Sequence, residues 1–211
     1  MHRRCGDCQL CCKLLPMKHS DATEDRRVEL IVEGLVANGI PPEVVGIGEG
    51  MLPDFDKLAG ERCLHQRHHK GCNVYSRRPF GCRMWNCRWL VNDDTNDLAR
   101  PDRSHLVIDL VPDYVRLRNN ETGHVTNIPC VQVWIDPKFP DGHREPRFRA
   151  YVERRAEEGV WCLMRRSPTN GFALVAPCVS EDGQWHEVDG LINPYWRAGI
   201  PPDAQESSDA A

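Results

Sequence analysis

Tyr114-Val115-Arg116-Leu117-Arg118 alternates residue by residue between side-chain types, the period of a strand with one buried face. The turn residues around it set its neighbours. Pro112-Asp113 separates it from His105 to Val111, which is partly β-branched, and Asn119-Asn120-Glu121-Thr122-Gly123 separates it from a strand-like run from Val125 to Ile135. Further on, Pro146 to Glu158 reads as a helix, with Pro146 near its first turn and Gly159 just beyond its end. Phe148, Tyr151, Val152 and Arg155 mark one face of it. Strands are expected again from Val160 to Arg165, from Gly171 to Pro177 and from Trp185 to Val188. Ser167-Pro168-Thr169-Asn170-Gly171 joins the first two as a hairpin loop. These elements predict an α+β fold, in which a small antiparallel sheet with one helix follows a cysteine-rich region with a helix of its own.

The N-terminal half has another texture. After Cys5-Gly6-Asp7-Cys8-Gln9-Leu10-Cys11-Cys12, a helix is expected from the capping residues Ser20, Asp21 and Glu24. Val28, Ile31, Val32, Leu35 and Val36 recur at helical spacing, and Asn38-Gly39 with Pro41-Pro42 ends the pattern. Residues 41–60 are rich in Gly and Pro and read as loop. Asn92 to Asp97 is a polar break. The expected organisation is a cysteine-cluster region over 1–100, an α+β sheet region packed with it over 101–200, and a polar tail over 201–211.

Composition removes several classes. The chain has 211 residues, 27% charged and 40% hydrophobic, which excludes a mostly disordered protein. The longest apolar runs, such as Phe172 to Ala176, are too short to span a membrane. A net charge of −4 gives no global reason to expect nucleic acid or an anionic membrane surface. No basic-then-apolar leader opens the sequence, because the first cysteine cluster stands there, and a cytoplasmic location is expected.

Eleven cysteines are the anomaly. An odd count without a secretory signal argues against a disulfide framework and for thiolates held by metal. Eight are clustered: Cys5, Cys8, Cys11, Cys12, Cys63, Cys72, Cys82 and Cys87. Cys130, Cys162 and Cys178 lie apart in apolar contexts and are expected in the core. Two C-x2-C spacings overlap in Cys5-x2-Cys8-x2-Cys11, and a pair so spaced closes a compact chelate turn around one ion. Four ligands from this octapeptide would be strained, since adjacent Cys11 and Cys12 side chains are expected to diverge. The second cluster is therefore expected to complete the ligand set. His65, His68 and His69 fall between Cys63 and Cys72, and any one could replace a cysteine.

Charge supports the same region. No acid occurs between Glu61 and Asp93, while Arg62, Arg67, Lys70, Arg77, Arg78, Arg83 and Arg88 do. A four-thiolate zinc site carries a formal negative charge, which is costly to bury uncompensated. Cationic donors near sulfur stabilise thiolate, and most of this basic stretch is read in that role. A nucleic-acid surface using it with Trp85 or Trp89 is the weaker reading, because the chain lacks a broad basic excess.

Cys72-Asn73-Val74-Tyr75-Ser76-Arg77-Arg78-Pro79-Phe80-Gly81-Cys82-Arg83, taken with the first cluster, resembles the CxxCxxCC (YkgJ-type) cysteine-cluster family of zinc- or iron-chelating proteins. That family's pattern is CxxCxxCC, a further Cys, then C-x-(I/V)-Y-x-x-R-P-x-x-C-R. This chain meets it at Cys63, Cys72, Tyr75, Arg78, Pro79, Cys82 and Arg83. The resemblance covers about residues 5–88. It implies metal chelation through the eight clustered cysteines, by Zn2+ or an iron–sulfur cluster, with Arg78 and Arg83 flanking the ligands and Tyr75 packed under the site. Several family members look like accessory domains beside other activities, among them a flagellin lysine methylase group. No Gly-rich cofactor loop here carries that activity over.

Three functions follow as expectations: a closed zinc–thiolate site in a structural or accessory role, an iron–sulfur centre with a redox or accessory enzymatic role, and a nucleic-acid-binding module. A protein partner fits the accessory role. No G-x-S-x-G, H-E-x-x-H or P-loop supports a hydrolase, and His186 beside Glu187 or Asp189 is at most a dyad by position.

Overall fold

The computed structural model describes residues 3, 7–17, 55–67, 70–79, 82, 85–110, 113–119, 121–168 and 170–189, with only the backbone at 116–118. The expected helix over 20–38, Cys5, His68, His69, Arg83 and the tail from Pro201 lie outside the described residues. The chain divides into two compact units, one of residues 5–86 and one of residues 1–4 with 87–211.

In the 5–86 unit, α1 (Leu10–Leu14) carries Cys11 and Cys12 and buries Leu10 and Leu14. Met17 and Lys57 exchange backbone hydrogen bonds of 2.9 and 2.8 Å, which ties the segment after α1 to the one before Cys63. A two-stranded hairpin follows, β1 (Gln66–Arg67) against β2 (Gly71–Cys72), with Gln66 opposite Cys72. Gly71 has φ 78°, a left-handed conformation that glycine adopts without the Cβ clash other residues suffer. A short 3-10 turn, Tyr75–Arg77, leads toward Cys82.

The larger unit opens with α2 (Arg88–Val91), a 3-10 turn at Asp93–Thr95 and α3 (Pro101–Ser104). Its sheet contains β3 (Leu106–Ile108), β4 (Asp113–Arg118), β5 (Val125–Ile135), β6 (Trp161–Ser167), β7 (Asn170–Val175) and β8 (His186–Asp189). The six strands run in the order β3-β5-β6-β7-β8, and β4 also pairs with β5. β5 is long enough to take β4 along Val125 to Cys130 and β3 along Val133 to Ile135.

The sheet is mixed where the sequence predicted an antiparallel one. β5 and β6 run parallel, with Val131 opposite Cys162. The reason is the helix between them. A tight turn reverses the chain, as between β6 and β7, whereas a connection through a helix carries it back to start again at the same end. That helix is α4 (Pro146–Glu157). The Glu145 carboxylate accepts from Phe148 N–H at 2.9 Å, Pro146 takes the first turn, and Gly159 follows the C-terminus with φ 75°.

α4 lays Phe148, Tyr151 and Val152 on one face of the sheet, against Leu106, Ile108, Val131, Val133, Ile135, Cys162, Met164, Phe172 and Leu174. Spacings of three and four residues put those helix side chains on one stripe. Alternation along the strands sends Val115, Cys130, Leu163 and Ala173 into a second buried cluster. There the guanidinium of Arg165, 2% exposed, is satisfied by Gln132 Oε1 at 2.5 Å and the Pro168 carbonyl at 2.7 Å. The Gln132 amide in turn donates to Asp113. Among the described residues no helix is long and apolar enough to cross a membrane.

Two sequence expectations are corrected in this unit. Cys130 and Cys162 are buried, but Cys178 is exposed on the 3-10 turn Pro177–Val179, just past the last residue of β7. His186 does not pair with Glu187 or Asp189. Neighbouring residues in a strand point to opposite sides, so His186 Nε2 meets Asp182 at 2.7 Å while Glu187 meets His143 Nε2 at 2.9 Å.

Candidate metal centre

The 5–86 unit assembles its thiols from three short elements. α1 supplies Cys11 and Cys12, the segment entering the hairpin supplies Cys63, and β2 ends on Cys72. Cys82 follows the 3-10 turn. All five are half-buried, and Cys8 is buried. Cys87 belongs to the other unit, where its backbone bridges to Asp109.

The thiols act on one another. The Cys12 sulfur accepts a hydrogen bond from Cys11, and this outweighs burial. With the positive charges of Lys57 and Arg78, it lowers the Cys12 thiol to about 7. The expectation that the two neighbours diverge is therefore corrected: one thiol stabilises the other as thiolate. Cys82 goes the other way. Burial, then the proximity of Cys12 and Cys63, push it up to about 12, with Cys72 adding in the same sense and Arg78 opposing. Burial likewise raises Cys63, with Cys12 and Cys72 adding to it. Cys12, Cys63, Cys72 and Cys82 thus share one electrostatic neighbourhood. Among the described residues no group of three or more His, Cys, Asp or Glu side chains closes into a set that could hold a metal ion.

Hydrogen bonds hold the elements together. Gln9, the residue before α1, donates through Nε2 to the Gly71 carbonyl at 3.0 Å and to the Arg67 carbonyl, and accepts from Gln66 Nε2 at 2.5 Å. Gln66 N–H donates to the Cys63 carbonyl at 3.0 Å and Asn73 N–H to the His65 carbonyl at 2.8 Å. The Lys57 ammonium donates to the carbonyls of Leu15, Leu58 and Lys13 at 2.6, 3.1 and 3.2 Å. Gln9, Gln66 and Lys57 have no place in the sequence reading. A glutamine inside C-x2-C and a lysine in a Gly- and Pro-rich loop carry no spacing signal. Gln9 and Lys57 reach backbone carbonyls far along the chain, and Gln66 reaches the Gln9 side chain.

The flanking residues separate. Arg78 donates to the Tyr75 carbonyl at 3.2 Å and the Cys82 carbonyl at 3.3 Å, and its charge favours thiolate at Cys12 and Cys82. Tyr75 is exposed, with the Arg78 guanidinium 4.1 Å over its ring, and is not packed beneath the thiols. His65 stands edge-on to Phe55, ring centroids 5.4 Å apart. Other parts of the basic stretch are used within the fold. Arg62 donates to the Gln66 carbonyl, and Arg88 pairs with Asp94 at 2.8 Å. Trp89 donates to the Leu98 carbonyl at 3.0 Å and lies beneath the Arg3 guanidinium.

The donor set fits a thiophilic metal. Soft sulfur donors beside two cations match zinc or iron–sulfur chemistry and not that of magnesium or calcium, which take oxygen. Clustered thiols of which two, Cys63 and Cys82, are pushed toward the protonated form by burial and by their neighbours are the kind of set a divalent cation neutralises.

No curated protein and no solved structure matches the chain. Residues 4–102 match the model of the CxxCxxCC family, described as "Putative zinc- or iron-chelating domain". The matched stretch contains all eight clustered cysteines together with Tyr75, Arg78 and Arg83.

Proposed function

We propose that the cysteine-cluster domain chelates zinc through thiolates drawn from Cys5, Cys8, Cys11, Cys12, Cys63, Cys72, Cys82 and Cys87, in a structural or accessory role. The observation that carries the reading is the electrostatic coupling of Cys12, Cys63 and Cys82 with one another and with Cys72. Burial and the neighbouring thiols raise the proton affinity of Cys63 and Cys82, and a tetrahedral divalent cation would hold such a half-buried set as thiolates. Bound zinc supplies charge neutralisation and four-point cross-linking. The chain's own residues position the sulfurs: Gln9 and Gln66 across α1 and the hairpin, and Arg78 at the Cys82 carbonyl.

An iron–sulfur centre is the second reading. The overlapping C-x2-C-x2-C spacing favours it, although a C-x3-C-P ending is absent. One preparation separates the two. Anaerobically purified protein is examined by visible absorption and by elemental analysis for zinc, iron and acid-labile sulfide. Stoichiometric zinc without colour supports the zinc site. A broad visible band with iron and sulfide replaces it with a cluster. Neither metal, with folding and metal content unchanged in C12S, C63S and C82S variants, overturns chelation.

A further inference from the structure

A buried cation sits where the sequence shows none. Lys57 lies before Glu61, outside the acid-free basic stretch that invites the role of charge compensation. It is nonetheless 7% exposed, the depth of a core residue. Lysine is almost never buried this far unless its charge is matched. Its ammonium spends three donors on the carbonyls of Lys13, Leu15 and Leu58. Three carbonyl acceptors require three protons, so the amine is held as –NH3+. Lys13 and Leu15 bracket the end of α1, whose last carbonyls have no partner within the helix. The backbone pairing of Met17 with Lys57 and the bond from Gly60 N–H to the Leu14 carbonyl, 3.1 Å, hold the loop in place.

Burial pulls the Lys57 ammonium below the usual lysine value, and Cys63, Cys12, Glu61 and Cys11 oppose it; three of these four are thiols of the candidate centre. A cation fixed on backbone carbonyls leaves its field available to those sulfurs, because carbonyl dipoles orient it without cancelling its unit charge.

Resting on the zinc–thiolate reading above, we propose that Lys57 is a positioning residue of that centre. Its ammonium clamps the C-terminal end of α1, which carries Cys11 and Cys12, and provides the fixed positive charge that favours ligation by those sulfurs as thiolates. Two effects follow. Loss of the clamp weakens metal binding at every pH. Loss of the charge weakens it most at low pH, where metal must displace protons to form an anionic complex, and less as the pH rises.

The test is an anaerobic titration of the full chain with Co2+ followed by displacement with Zn2+, read from the sulfur-to-cobalt charge-transfer band between pH 6 and pH 8.5. Wild type, Lys57→Met and Lys57→Arg are compared, with circular dichroism as the check on folding. Lys57→Met is expected to bind Co2+ about 10- to 100-fold more weakly near neutral pH, the usual effect of removing an outer residue of a metal site. Its binding midpoint is expected at higher pH than in wild type. Lys57→Arg keeps the charge and is expected to keep the wild-type midpoint even where its affinity falls. An unchanged affinity and midpoint in Lys57→Met overturns the role of Lys57 while leaving the metal reading intact. If Lys57→Met does not fold, the Arg variant decides: a midpoint shifted upward despite the retained charge overturns the proposal, and a wild-type midpoint upholds it. A wild type that binds neither Co2+ nor Zn2+ overturns the metal reading and this role together.

Discussion

Gln66 Nε2 donates to Gln9 Oε1 across 2.5 Å, joining the start of the helix that bears Cys11 and Cys12 to the hairpin that ends on Cys72. The same Gln9 side chain donates to the carbonyls of Gly71 and Arg67, so one amide spends both kinds of hydrogen-bonding capacity on the hairpin. A link of this kind decides whether sulfurs from distant parts of the sequence face one another.

Gln9→Ala removes all three bonds. The expected outcome is a loss of about 1–3 kcal/mol from the stability of the 5–86 unit, at about 1 kcal/mol for each neutral hydrogen bond. Hydrogen exchange is expected to quicken at the Gln66 and Asn73 amides, which close the turns on either side of the hairpin. Unchanged protection at both would show that Gln9 does not hold the hairpin.

Phe148 is 1% exposed and sits among β-strand side chains under α4. Phe148→Ala is expected to cost about 3–5 kcal/mol, the range for deleting a buried aromatic ring. Chemical denaturation of the two proteins measures it. A difference below about 1 kcal/mol would mean that the helix repacks.

Arg165 depends on Gln132 for satisfaction of Nε. Gln132→Leu is close in volume but removes the acceptor, leaving a buried charged donor without it. A loss of about 1–3 kcal/mol is expected from that desolvation. The double variant Gln132→Leu with Arg165→Met removes donor and acceptor together, and is expected to recover part of the loss in a denaturant titration.

Glu187 links pH to the edge of the sheet. Burial disfavours its charged form, but bonds from His143 and Arg144 outweigh burial and hold the carboxyl below the usual carboxylate range. A depressed folded-state value adds stability above the unfolded value and loses it as pH falls through the folded one. Wild type is therefore expected to exceed Glu187→Gln in stability at pH 7 by about 1 kcal/mol, the scale of one half-exposed charged pair. The difference is expected to shrink below about pH 4, near the unfolded carboxylate value, and to disappear only under the depressed folded one. Parallel denaturation curves at several pH values check the sign.

The three separate cysteines differ in reach. Cys178 is exposed, while burial pushes the Cys162 thiol up to about 12 and raises Cys130 as well. A thiol reagent applied to the native protein is expected to label Cys178 promptly, and Cys130 and Cys162 only on unfolding. Peptide mapping by mass spectrometry distinguishes them.

Much of the sheet unit is legible in its residues. Val125 to Ile135 is a strand over its full predicted length, and the helix from Pro146 ends within one residue of its predicted end. Alternation, proline at a helix start and glycine after a helix end are local signals, and local signals survive folding. Strand direction is not local. Whether β6 runs with or against β5 depends on how α4 returns the chain, and no single window of residues records it. The exposure of Cys178 fails for a related reason: β7 ends at Val175, so the apolar stretch around Cys178 does not extend the core.

In the cysteine cluster the division falls elsewhere. The sequence alone determined which residues are candidates, because C-x2-C spacing and the order of the motifs are covalent facts, and residues 4–102 match the CxxCxxCC family model. Only the tertiary structure decided which thiols act on which. It brings Cys12 under the influence of Cys11, Lys57 and Arg78, sets Cys87 in the sheet unit, and turns Tyr75 outward. The physical reason is that a sulfur's proton affinity depends on burial and on charges within a few ångströms. Those neighbours arrive through backbone carbonyls and side-chain amides, which every sequence contains and no spacing announces.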